Sequence, residues 1–566
     1  MKDSTVAACL PLGKEGLLAG TNLATTHLKV GGVSVRAILK WVAVVLLVAL
    51  LPSYSGAQVG TVRLAITRDE GFLNPYTYQT GYPGWNIMTL VYDPLFYPDA
   101  NNEPIPWLVR SAQVSRDGLT WTLALHPNIR WHDGRALTSE DVKFTFEYVI
   151  KVAHGRWTPP ARVIERIDAP NPTTVIFRLK NADAGFRLRA LSDIPILPKH
   201  IWESVTTVAA ARGFTNMVGS GPYVVAEAQP AQFYRLTANP QYFAGQPRVR
   251  ELILPVIRDA TVSFTALQAG QIEANVRTLT PELVTQFEKL PGMKVVKGAG
   301  FASTLLQFNL EHPLLKDAKL RQAIANTINT RFMARLLMLG FAVVGSPGYL
   351  HPDSPFYAPG VKFEANKAKA VALLNEAGYR DRNNDGIREA SDGTALRFTM
   401  LTLAGNPIRI RGAELIRTWL RDVGIDATVR VMEDAAIIDQ VWPEFDVCKG
   451  RKFDMAVFGW SAPVMTRPTA LRDLFHSDCN IGTINIGGYK NPQIDRLGDQ
   501  LATTVDPARQ KQIATEMQKI IAQDLPVHVL FYPDTIMAYR QAAYDRWVFQ
   551  KGQGIVNKLS FVDPPK

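Results

Sequence analysis

Cysteine is nearly absent. The 566 residues hold three, Cys9, Cys448 and Cys479, too few for a disulfide scaffold or a four-thiolate metal site. The nine histidines never recur at i and i+4, and no H-E-x-x-H run exists, which excludes a zincin. No G-x-S-x-G elbow is present, because "GSGPY" (219–223) and "VGSPG" (344–348) lack its spacing. No G-x-x-x-x-G-K-[ST] loop exists either, so the chain would not hydrolyse ATP itself. Carboxylate pairs such as Glu414 with Asp422 read as a solvated helix face. These absences leave little room for a secreted hydrolase and point to a protein that is not an enzyme.

Long apolar runs are also scarce. The only one, "WVAVVLLVALL" at 41–51, is shorter than the roughly 18–20 residues that cross a bilayer and suits the core of an export signal. Arg36 and Lys40 precede it, and "PSYSGA" (52–57) supplies the helix break and small residues before a cut near 57/58. The region 1–57 is therefore expected to direct export to the periplasm. Its lead is long, so translation is expected to begin near Val33 or Val35. Cys9 in "VAAC" has no apolar run before it, so a lipoprotein is not expected. A mature chain would keep Cys448 and Cys479, a candidate disulfide in an oxidising compartment.

What the chain does have is ordinary globular composition, 47% hydrophobic and 20% charged, with 11 Trp and 17 Tyr. A chain this long exceeds one hydrophobic core. The formal charge of +11 is spread without a Lys/Arg block, so no nucleic-acid partner is expected.

From Thr61 onward short strands and helices alternate. "TVRLAI" (61–66) reads as a strand, "WNIMTLVYDPLFY" (85–97) as an apolar helix broken at Pro94, and "LTWTLALH" (119–126) as a half-buried strand. Thr138 with Asp141 predicts a helix start, followed by an apolar face of Val142, Phe146, Val149 and Ile150. "VIERIDAPNPTTVIFRLK" (163–180) reads as two strands about a Pro-Asn-Pro turn. After residue 300 the pattern turns more helical; Gly378 marks a helix end and Asp506-Pro507 a helix start. "PVHVLFYP" and "TIMAYRQ" close the pattern as strands. Alternation on both sides of residue 300 predicts two α/β lobes.

Seven stretches in register carry a resemblance: "LNPY" (73–76), "VYDPLFY" (91–97), "LTWTLALHPNIRWHDGRALTSEDVKFTFEYV" (119–149), "GSGPYVV" (219–225), "HPLLKDAKLRQAIANTIN" (312–329), "LLNEAGYRDRNNDGIRE" (373–389) and "FDMAVFGWS" (453–461). Together they resemble the peptide/nickel/opine class of extracytoplasmic solute-binding proteins, family 5, of ABC importers. The resemblance implies a type II periplasmic-binding-protein fold with hinge crossings near 299–303 and 525–530. It places lobe I at 61–98, 217–299 and 530–566, an inserted β-rich subdomain at 99–216, and lobe II at 300–529. It further implies a monomer that captures a peptide or other small solute and delivers it to ABC permease subunits, with no cofactor. An oligosaccharide or opine ligand, or a sensor partner, is the alternative.

The ligand-facing candidates are Tyr82 and Trp85 in "TGYPGW", Trp460 where a strand runs out of its sheet, then Pro463, Arg467, Asp473 and Tyr489. Peptide-binding relatives carry Trp-x-x-Asp at this strand end to hold an α-ammonium; here the acid's position is Pro463, and a guanidinium, Arg467, follows. Arg467 in a cleft would favour a carboxylate, phosphate or sugar hydroxyls. "DRNNDG" imitates the start of a calcium loop through Asp381, Asn383 and Asp385, with Gly386 sixth. Its twelfth residue is Asp392 instead of the usual Glu, so the stretch is read as a surface turn and no resident metal is expected.

Overall fold

A single strand, Val527–Arg540, organises the molecule. Its first half pairs antiparallel with Thr304–Phe308 and Ala342–Val344, and its second half with Met293–Ala299. In the computed structural model the described residues are 58–566, apart from 68, 70–72, 78–83, 362 and 461–466. Residues 1–57 are a separate unit, described only at Lys29–Val30 and Val33–Ser34. The expected export segment, with its apolar run 41–51, thus lies outside the described residues. Among the described residues no helix is long and apolar enough to cross a membrane.

The sequence suggested two closing strands, but "PVHVLFYP" and "TIMAYRQ" are one. Pro533 lies where the strand changes partners, facing Ala342 just before the pairing of Asp534 with Ala299. A missing N–H is tolerated at such a change of partner. The neighbouring chain must come very close here: a Cβ on Gly300 would lie 2.4 Å from the Pro533 carbonyl oxygen.

Around this strand the described residues build a 12-stranded mixed sheet. On one side Val249–Pro255 runs parallel to Val59–Ala65, with Tyr223–Gln229 and Phe233–Ala238 beyond. On the other side Arg397–Leu403 runs parallel to both Asp426–Met432 and Met455–Phe458. A separate antiparallel sheet orders Val109–Val114, Thr120–Leu125, Thr174–Leu179 and Ile164–Asn171. The helix Ser139–Lys151 packs on it, started by a reciprocal capping box between Thr138 and Asp141. Val142, Phe146 and Val149 of its apolar face are buried, while Ile150 is exposed.

The buried side chains fall into distinct clusters. One runs through residues 62–274 and returns in residues 537–562. Two others draw almost entirely on residues 299–532. In the first, Asp93 of "VYDP" and Lys558 form an ion pair with both side chains fully buried. Tyr242 Oη and Trp107 Nε1 donate to Asp93 Oδ1 at 2.9 and 3.0 Å, and Ser220 Oγ of "GSGPY" donates to Oδ2 at 2.9 Å. Two of the recurrent sequence stretches thus meet in one buried polar network.

Candidate functional site

A cavity of about 320 Å³ opens between surfaces that rest on these different clusters. One wall is the turn 101–103 between Phe96–Pro98 and Pro104–Pro106, with Leu188 and Lys551. Lys551 is set against this turn by its N–H, which donates to Ala100 at 3.0 Å. The facing wall carries Phe301, Asp353–Phe356, Arg467 and Pro468. Each wall holds one acid and one base: Glu103 and Lys551 on the first, Asp353 and Arg467 on the second. Burial, then the nearby Asp99, pushes the Glu103 carboxyl above its ordinary range.

Beneath the second wall lies His351, fully buried. Its ring meets Phe301 and Tyr532 edge-on at 4.9 and 4.7 Å, and its Nδ1 accepts from the Asp353 N–H at 3.0 Å. Burial pushes its pKa down to about 4, so the imidazole is neutral at ordinary pH. A neutral ring lets it support the aromatic and acidic lining without adding charge.

Arg467 lines the cavity directly, just ahead of the helix Ala470–Phe475. Asp473, in that helix, is close enough to Arg189, Arg472 and Arg467 for all three to favour its charged form, although burial dominates and raises its pKa. Arg189 is also paired with Asp183 at 2.9 Å. Asp473 therefore sits in a charge cluster with Arg189 of the segment Arg187–Leu191, whose Leu188 lines the opposite wall.

Trp460 is half-buried. Its ring packs edge-on against Trp442 and Phe458, each at 5.6 Å, and its Nε1 has no hydrogen-bond partner among the described residues. Its backbone is tied to Ser303, in the stretch leading from Phe301 to the strand Thr304–Phe308.

Two of the sequence candidates take interior places. Trp85 is 1% exposed, stacked on Tyr97 at 5.3 Å with its Nε1 donating to the Asp193 carbonyl. Its faces are filled by protein, because the helix Gly84–Val91 is buried along its whole length. Tyr489 is 3% exposed and its Oη donates to Asp524 Oδ2 at 2.5 Å. It packs edge-on against Phe475 away from the cavity lining. Tyr82 and Pro463 lie outside the described residues. Cys448 and Cys479 are joined in a disulfide, with Cα atoms 5.3 Å apart.

Lining residues missed in the sequence include Glu103, Phe301, Asp353, Phe356 and Lys551. They come from four loops far apart in the chain, and no periodic pattern marks them. A faint signal was available at 99–103, where "DANNE" between two proline-bounded strands is a turn rich in polar side chains.

A mixed sheet shared by two sets of hydrophobic clusters, with a charged cavity between their surfaces, defines a ligand-binding protein of the type II periplasmic-binding-protein fold. The chain belongs to the bacterial extracellular solute-binding proteins, family 5, whose profile matches residues 103–482. It is 30% identical over 474 residues to the oligopeptide-binding protein AppA of Bacillus subtilis, covering 81% of this chain and 84% of that one. The structure of B. subtilis AppA in complex with a nonapeptide matches with a TM-score of 0.74 at 26% identity, over 89% of this chain and 99% of that chain. The nickel-binding periplasmic protein of Escherichia coli is 25% identical over 452 residues, covering 78% of this chain and 83% of that one.

Proposed function

We propose that this protein is the exported, non-catalytic solute receptor of an ABC importer and that its ligand is a short peptide or peptide-like zwitterion. One observation carries the reading: the cavity has an acid and a base on each of its two walls. A ligand with an ammonium and a carboxylate can then be paired from both sides, and charge-assisted hydrogen bonds are the strong ones. The volume falls within the roughly 300–1,000 Å³ of small-ligand sites. The relatives' names support the peptide class. None of the described lining residues is His or Cys, the donors that favour transition metals.

The ligand-contacting set is Arg467, Glu103, Asp353 and Lys551, with Trp460 at the edge. Lobe I comprises 61–98, 217–299 and 530–566 with the subdomain 99–216 inserted, and lobe II comprises 300–529. The pairing of one strand, Val527–Arg540, with elements of both supports a crossing in this strand, with Leu530, Phe531 and Tyr532 packed on the lobe II side. Solute bridging both walls stabilises the closed arrangement, and the closed face engages permease subunits. No catalytic step is assigned.

The test is native mass spectrometry of the full chain, purified from its host and then stripped and offered a defined pool of di- to nonapeptides. The expected result is one bound peptide per monomer, released on unfolding. Binding of a sugar or opine and no peptide would overturn the ligand class.

A further inference from the structure

We propose a calcium site in the turn 381–389, remote from the cavity and independent of the solute it binds. Carboxylate oxygens of Asp381, Asp385 and Glu389 lie within 4.8 Å of one another. Three like charges that close repel strongly unless a cation joins them. Asp381 and Asp385 are exposed, but Glu389 is only 5% exposed. Its Oε2 accepts from the Arg382 N–H at 2.8 Å, while its buried Oε1 has no donor among the described residues. An unpaired buried carboxylate oxygen is costly, and a metal ion supplies the missing partner.

The neighbouring guanidiniums offset this charge in part, with one of the three carboxylates paired. Arg397 pairs with Asp385 Oδ2 at 2.9 Å. Arg382 donates to the Glu389 and Ala390 carbonyls, and Arg388 to Val423, Tyr379 and Asn375. The turn itself is held by backbone donors: Gly386 N–H to Asp381 Oδ2, Asp385 N–H to Asn383 Oδ1 and Ile387 N–H to Asp385 Oδ1. Counted from Asp381, the acids stand first, fifth and ninth, with Asn383 third and Gly386 sixth at φ +83°. Hard oxygen donors in that order suit calcium, and the buried Glu389 replaces the ligand that Asp392 is too short to provide. Binding would fasten the turn between the helix Lys367–Glu376 and the strand Arg397–Leu403.

The experiment is equilibrium dialysis of the EDTA-treated full chain against radioactive calcium up to about 1 mM, the range of extracellular sites. One ion per chain is expected, with affinity reduced at least about tenfold in both Glu389→Gln and Asp381→Asn. No bound calcium, or undiminished binding in Asp381→Asn, would overturn the assignment. Asp381 is exposed, so its variant decides the matter if Glu389→Gln fails to fold. Peptide binding to the cavity plays no part in either readout.

Discussion

Ser303 and Trp460 hold each other by two hydrogen bonds: the Ser303 N–H donates to the Trp460 carbonyl at 2.9 Å, and the Trp460 N–H donates to Ser303 Oγ at 3.0 Å. Ser303 is 1% exposed. The strand end that carries the indole is thereby fixed to the segment between Met293–Ala299 and Thr304–Phe308. Replacing Ser303 by Ala removes one acceptor and leaves a backbone N–H unpaired, a loss of about 1–3 kcal/mol. Chemical denaturation reads it as a lower midpoint. Gly459→Ala is harsher, because its Cβ would lie 1.9 Å from the Ser303 carbonyl oxygen.

Arg467 lines the cavity ahead of the helix that holds Asp473. Arg467→Ala is expected to weaken a carboxylate-bearing peptide by about 1.5–3 kcal/mol, as loss of a charged hydrogen bond does. Calorimetry with a peptide from the bound pool measures it. A change of less than a few tenths would remove Arg467 from the ligand set.

The buried pair of Asp93 and Lys558 is a structural hazard as much as a support. Burial lowers the Lys558 pKa, opposed by Asp93. Asp93→Ala leaves the ammonium uncompensated and removes the carboxylate acceptor of Tyr242 and Ser220, while Trp107 keeps only its bond to Tyr242 Oη. The expected cost is about 3–5 kcal/mol. Restoring most of that stability by adding Lys558→Met would trace the loss to the stranded charge.

Acid should destabilise the protein through two buried histidines. His351 and His528 are 0% and 2% exposed, and burial pushes each pKa down to about 4. The unfolded chain binds these protons near its ordinary histidine pKa of about 6.5, whereas the folded chain does not until about 4. Their contribution is therefore complete above that upper value and is lost as pH falls through the window. The loss is about 3 kcal/mol per histidine. The fall in melting temperature between neutral pH and the lower limit should shrink when His528 is replaced by Gln, even as the substitution lowers stability at every pH.

The disulfide Cys448–Cys479 closes a loop with a sequence separation of 31. Its reduction is expected to cost about 3–4 kcal/mol by the chain-entropy scale. Thermal denaturation with and without a reducing agent gives the answer, and a Cys448→Ser, Cys479→Ser double variant should match the reduced form.

Local structure was the legible part of this sequence. The capping pair Thr138 and Asp141, the alternation of Thr120–Leu125 and the Asp506 cap each rest on contacts within a few residues, which the text of the chain carries by itself. The single strand Val527–Arg540 was read as two because Pro533 is ordinarily a breaker; only the change of partner strand makes it harmless. Aromatic clustering marked Trp85 as a surface candidate, yet the helix Gly84–Val91 is covered on all sides, which no local pattern reveals. The cavity was least legible. Phe301, with a positive φ of 47°, and the acids Glu103 and Asp353 meet only after distant loops are brought together.

Solution scattering on stripped full-length protein, with and without a saturating bound peptide, tests the central claim most directly. Bridging of the two charged walls predicts a smaller radius of gyration with peptide, restored to the larger value by Arg467→Ala at the same peptide concentration. An identical scattering profile with peptide bound would contradict capture by closing lobes.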